Sequence, residues 1–206
     1  MAGLALQNQR TKAAADDAGD VDYASHLAVA QLSAEAGCVL LQNDGILPLD
    51  TTQSLAIIGG FADQMRYQGS GSSKVNPILL DSLLEAFDEM GIVYEYAPGY
   101  DLQTGETTNE LLAEAIALAQ RCSTVLAVIG LPDLYESEGY DRHDLALPDG
   151  MNQLMDQLID ANPRTAAVLL GGGVMELPWR QRAAAILAGY LPGCRGGHAL
   201  ANILTG

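Results

Sequence analysis

Between Leu131 and Pro148 the chain sets Glu136, Glu138, Asp141 and Asp144 beside Arg142 and His143, all within nine residues. Crowded carboxylates disfavour one another's negative charge and so raise one another's pKa. A carboxyl group held protonated near neutrality is what a general acid needs. Gly139 lets the backbone turn beside Glu138 and leaves that side chain accessible. Asp141 or Asp144 is placed to pair with Arg142 and fix the loop's shape. On composition alone, the same stretch reads as a solvated acidic connection.

A second non-periodic stretch, 61–77, contains Arg66-Tyr67-Gln68-Gly69-Ser70-Gly71-Ser72-Ser73-Lys74 and is rich in hydrogen-bond donors. It is not a P-loop: Lys74 follows Ser72-Ser73, and Val75-Asn76-Pro77 separates it from any helix. Gly171-Gly172-Gly173 lacks the GxGxxG order of a dinucleotide fold. These failures disfavour a nucleotide-binding domain. His26, His143 and His198 are far apart, and Cys38, Cys122 and Cys194 form no CxxC pair, so no metal and no other cofactor is expected. Trp179, after Pro178, reads as a packing residue.

The elements around these loops alternate. Apolar runs at 55–58, 92–96, 125–129, 166–170 and 184–187 read as strands, the continuous ones as buried parallel strands. Helical patterns cover 23–36, 78–90, 109–121, 151–160 and 198–204. Such alternation predicts an α/β fold, a mostly parallel sheet with helices on both faces. Both long loops follow predicted strands, which puts them at the carboxyl edge of the sheet, where open α/β folds bind ligands.

Composition narrows the partners. A net charge of −16 with only 10 basic residues disfavours nucleic acid and anionic membranes, and suits a neutral small molecule such as a sugar. The first residues show no long apolar stretch of a signal peptide, and no run is long enough to span a membrane, so a cytoplasmic location is expected. Residues 1–21 read as a lead-in or linker and 22–206 as one domain.

Several segments together resemble glycoside hydrolase family 3. Glu136-Ser-Glu-Gly-Tyr-Asp-Arg142 with Asp144-Leu-Ala-Leu-Pro148 is similar to the loop around that family's acid/base. Gly37-Cys-Val-Leu-Leu-Gln-Asn-Asp-Gly-Ile-Leu-Pro-Leu49 is similar to the entry into its second domain. Ala56-Ile-Ile-Gly59, Arg66–Ser73, Pro178-Trp179 and the closing stretch from Leu191 follow in the family's order.

The resemblance implies a six-stranded α/β sandwich with flavodoxin-like layering. It also implies a retaining β-glycosidase, a β-glucosidase first among the possibilities, acting on carbohydrate. Glu138 then stands as general acid/base, with Glu136 the alternative, and Asp141 and Arg142 support the loop. Arg66, Gln68, Gly69 and Ser70 lie on a loop facing substrate or a (β/α)8 barrel. That barrel would supply the nucleophile from outside this chain, which is too short to hold it as well. The fragment alone is therefore expected to be inactive. Family members often carry a Glu where this chain has Arg195, which leaves Glu138 without that competitor. The competing reading is a carbohydrate-recognition or interaction module that kept the fold without the chemistry.

Overall fold

The computed structural model describes residues 21–72 and 74–206. The lead-in expected over 1–21 therefore lies, Val21 apart, outside the described residues. Six strands form one sheet: β1 Val39–Asn43, β2 Leu55–Ile58, β3 Glu95–Ala97, β4 Thr124–Gly130, β5 Thr165–Leu170 and β6 Ala185–Tyr190, in the order β1-β6-β5-β4-β2-β3. All neighbours are parallel except β1, which runs antiparallel to β6 at one edge. Every residue of β2, β4 and β5 is buried, which is why these strands are continuously apolar instead of alternating.

Among the described residues five α-helices cover the sheet: α1 Tyr23–Gly37, α2 Leu83–Glu89, α3 Asn109–Arg121, α4 Asp149–Ala161 and α5 Gly196–Thr205. They sort into two groups, with α1 and α2 each packed on α5, and α3 packed on α4. The chain moves outward from β2 to β3 through α2, and back past β2 to β4 through α3. Right-handed crossovers in opposite directions place α2 and α3 on opposite faces.

The helix expected from residue 78 starts later. Ile78, Leu79 and Leu80 are exposed and non-helical, and α2 begins after Ser82. There the Ser82 hydroxyl accepts from the Glu85 amide at 3.1 Å, and the Glu85 carboxylate accepts from the Ser82 amide at 2.8 Å. This capping box satisfies two amides that have no partner within the helix, and so fixes its start. The strand expected over 92–96 is likewise shorter and later, at Glu95–Ala97.

The strand order sets where a ligand can enter. β2 and β4 are adjacent and parallel, yet their connections leave in opposite directions, one towards β3 and one towards β5. Such a switch point opens a crevice beyond the carboxyl ends of the two strands. The loops that leave β2 and β4 there are the two non-periodic stretches of the sequence.

Candidate functional site

The two loops are joined by backbone pairing. Ser70 and Ser137 form an isolated parallel bridge, and the Glu138 amide donates to the Ser70 carbonyl at 3.1 Å. The third strand end contributes too, because the connection after β5 brings Gly172 and Gly173 up against Glu136.

Arg66 is the hub of this arrangement. It is buried, and its guanidinium is spent within the protein instead of pointing at solvent. Nε donates to the Leu131 carbonyl at 2.8 Å and Nη1 to the Gln68 carbonyl at 2.9 Å. Nη1 also pairs with Asp133, and Nη2 with Glu136 at 3.2 Å. Burial opposes ionisation of Asp133. The neighbouring Ser70 hydroxyl, which lies outside hydrogen-bonding geometry, and the charges of Arg66 and Lys74 outweigh it and hold the carboxyl below its ordinary range.

The two candidate acids have opposite surroundings. Glu136 is largely buried and accepts from Arg66, from the Gly172 amide at 2.9 Å and from the Gly173 amide. A Cβ on Gly173 would lie 2.9 Å from Glu136 Oε1, so a side chain there would push the carboxylate out of its present position. Glu138 is exposed. Its Oε2 accepts from the Ser72 amide at 2.6 Å and from the Ser72 hydroxyl, while Oε1 has no partner among the described residues.

Crowding by neighbouring carboxylates was the expected source of a raised pKa in this loop, and Glu138 shows the reverse. The Ser72 hydroxyl and then the Ser72 amide hold its carboxyl below the ordinary range. Gly139 does adopt a left-handed φ of +84°, as a sharp turn beside Glu138 requires.

The support expected from Asp141 is not found. Among the described residues no ion pair joins Arg142 to Asp141 or Asp144. Arg142 instead donates to the Val174 carbonyl at 2.7 Å and to the Ala146 carbonyl at 3.2 Å, tying its loop to the connection after β5. The Ala146 carbonyl lies on a segment already ordered by its bridge to Glu176, whereas a surface pair with Asp141 must order two mobile side chains. Asp144 accepts from the Ala146 amide at 3.0 Å.

A cavity of about 650 Å³ opens beside this assembly, and Arg66, Gln68, Gly69 and Ser70 line it with Lys74 and Asp133. Gln68 folds the loop back on itself by bonding both backbone polar atoms of Val75, at 2.8 and 2.9 Å. Arg195 pairs with Asp81 at 3.1 Å, and the same carboxylate meets His198 Nδ1 at 2.5 Å and the Gly197 amide at 2.9 Å. Arg195 and His198 thus serve the start of α5. Trp179 is buried, with its indole N–H on Asn152 at 3.1 Å. No helix among the described residues is long and apolar enough to cross a membrane.

The contribution of Gly172 and Gly173 escaped sequence reasoning. Their motif fails for a nucleotide, and nothing in the spacing pairs them with a glutamate some 36 residues earlier. The signal available was their place directly after a buried strand, at the same sheet edge as the acidic loop.

Comparison with known proteins agrees with this architecture. The profile of the glycosyl hydrolase family 3 C-terminal domain matches residues 38–206. Thermostable beta-glucosidase B of Acetivibrio thermocellus is 35% identical over 207 residues, covering 98% of this chain and 27% of that protein. An exo-alpha-(1->6)-L-arabinopyranosidase of Bifidobacterium longum is 37% identical over 212 residues, covering 98% of this chain and 28% of that protein. The crystal structure of a GH3 beta-glucosidase from Bifidobacterium adolescentis superposes with a TM-score of 0.90 at 35% identity, over 98% of this chain and 30% of that one. The chain thus spans little more than a quarter of the length of these curated relatives. The chain belongs to glycosyl hydrolase family 3 and matches that family's C-terminal domain.

Proposed function

We propose that this domain lends the general acid/base, Glu138, to a retaining β-glucosidase whose nucleophile comes from a (β/α)8 barrel elsewhere in the protein. The observation that carries the assignment is the contrast between the loop's two glutamates. Glu136 is consumed by Arg66 and two backbone amides, whereas Glu138 reaches solvent at the switch point with one oxygen uncommitted. A proton carrier must meet both the glycosidic oxygen and water, and an internally bonded carboxylate meets neither. Apolar side chains exposed around the same edge, among them Leu134, Tyr140 and Val174, offer a face for the barrel to cover.

In the retaining mechanism Glu138 protonates the departing glycosidic oxygen while the nucleophile bonds the anomeric carbon. It then takes a proton from the water that releases the sugar. The matching relatives are named for glucosidases, arabinopyranosidases and xylosidases, and the glucosidase reading follows the relative and the solved structure that share that name.

The test uses the full-length enzyme. Glu138→Ala should lower turnover of an alkyl glucoside by roughly 10²–10⁴. With a good aryl leaving group, glycosylation should be far less affected, and azide should restore turnover by attacking the intermediate without a base. Glu136→Ala should show neither pattern. If Glu136→Ala shows the leaving-group dependence and azide rescue while Glu138→Ala does not, the assignment is reversed.

A further inference from the structure

The loop geometry does more to Glu138 than leave it exposed. The amide of Glu138 is fixed on the Ser70 carbonyl, which brings its side chain across Gly71. Gly71 has a left-handed φ of +118°, and a Cβ there would lie 2.4 Å from the Glu138 Cβ and 2.8 Å from Oε2. The next residue closes the contact, since both donors of Ser72 converge on the same oxygen, Oε2. Two loops are thus shaped to hold one carboxylate by one edge.

We propose that Ser72 is a positioning residue for the acid/base: it holds Oε2 of Glu138 so that Oε1 is the oxygen that gives and takes the proton. The inference rests on Glu138 being the acid/base. An acceptor contact at Oε2 serves both halves of the reaction. With the acid protonated on Oε1, Oε2 is the carbonyl oxygen and still accepts from Ser72. The Oε1 proton then passes to the glycosidic oxygen as the C–O bond breaks and the nucleophile bonds the anomeric carbon. In the second half, water bonds that carbon, its proton returns to Oε1, and the bond to the nucleophile breaks. Ser72 neither gains nor loses a proton in either step.

Hydrogen bonds to a charged acceptor are stronger than those to a neutral one, so Ser72 favours the carboxylate over the acid. Tyrosines apart, the charged and titratable groups of the two loops are Asp133, Glu136, Asp141, Arg142, His143 and Asp144 on the Glu138 loop, and Asp63, Arg66 and Lys74 on the other. The Gly171–Gly173 connection brings none. Arg66 and Lys74 are paired with Glu136 and Asp133. Groups of the barrel would also face Glu138 in the full-length enzyme. Replacing Ser72 leaves all of these in place.

The experiment is pH-dependent kinetics of the full-length enzyme as wild type, Ser72→Ala and Ser72→Thr. Loss of the hydroxyl should raise the acid's pKa by about half a unit to one unit. With a poor leaving group, the alkaline limb of kcat/KM should then move to higher pH. With a good leaving group, where deglycosylation limits, the acid limb of kcat should move the same way. At a pH on that acid limb, kcat should fall roughly threefold to tenfold, KM should fall in step with it, and kcat/KM should stay unchanged. Ser72→Thr keeps a hydroxyl and should restore the wild-type limbs.

A uniform loss at all pH values in Ser72→Ala, with both limbs unmoved, would assign Ser72 a merely structural role and overturn the inference. So would limbs displaced equally in Ser72→Thr. Glu138→Ala with azide, run alongside, separates the two layers of argument. Rescue together with unmoved Ser72→Ala limbs removes only the positioning role. Failure of rescue removes the acid/base assignment and the inference with it.

Discussion

At the scale of single residues, the site is a division between a carboxylate that holds structure and one left exposed. Removing the Glu136 side chain leaves Nη2 of the buried Arg66 and the amides of Gly172 and Gly173 without this acceptor. Glu136→Ala should therefore cost roughly 2–4 kcal/mol of stability, whereas Glu138→Ala should leave stability within experimental error. Urea unfolding of the two variants measures the difference directly, independently of any activity. The other Arg66 partner supplies a pH dependence. Because the folded pKa of Asp133 lies below its unfolded value, its stabilising contribution is complete above the unfolded value, near 4. It is lost as pH falls through the lower folded value. The melting temperatures of wild type and Asp133→Asn should thus differ by a constant amount from pH 5 to 7 and converge below about pH 4. A difference that instead grew on acidification would contradict the ion pair.

At the scale of elements, what the sequence reveals depends on whether the cause is local. β2, β4 and β5 stand out because burial on both faces makes them uniformly apolar. α3 is marked by its own composition and by Thr108, which accepts from the Leu111 amide at 3.3 Å. Ile78–Leu80 imitates a helical turn, yet the local signal that decides the start of α2, Ser82 with Glu85, lies just beyond it. The hub is another matter, because Arg66 lies 65–70 residues from Leu131 and Glu136 and becomes their neighbour only through the pairing of β2 with β4. A buried tyrosine secures that neighbourhood. The Tyr100 hydroxyl donates to the Val128 carbonyl at 2.7 Å and accepts from the Phe61 amide at 3.1 Å, linking the chain after β3 to β4 and to the turn after β2. Tyr100→Phe keeps the ring but leaves the Phe61 amide without this acceptor. It should lower stability by about 1–3 kcal/mol with an unchanged urea m-value.

At the scale of the whole molecule, the core is complete while the proposed reaction is not. The sheet is closed on both faces by helices that pack on one another, and one continuous hydrophobic cluster runs from Ile46 to Leu204. A chain with its own core should fold and melt cooperatively without further domains. Retaining hydrolysis, however, needs a second carboxyl group about 5–5.5 Å from the acid/base, acting as nucleophile on the sugar. At the switch point of this chain most of the neighbouring carboxylates are engaged, the exception being Asp141, which is exposed on the Glu138 loop itself. Glu136 and Asp133 are bound to Arg66, and Asp144 is turned to its own backbone at Ala146. The 206-residue polypeptide, purified alone, should therefore give a sharp thermal transition yet release no nitrophenol from an aryl β-glucoside above the level of its Glu138→Ala variant. Glu138-dependent release by the polypeptide alone would mean that the nucleophile lies within it, and that the proposed barrel has no part in the chemistry.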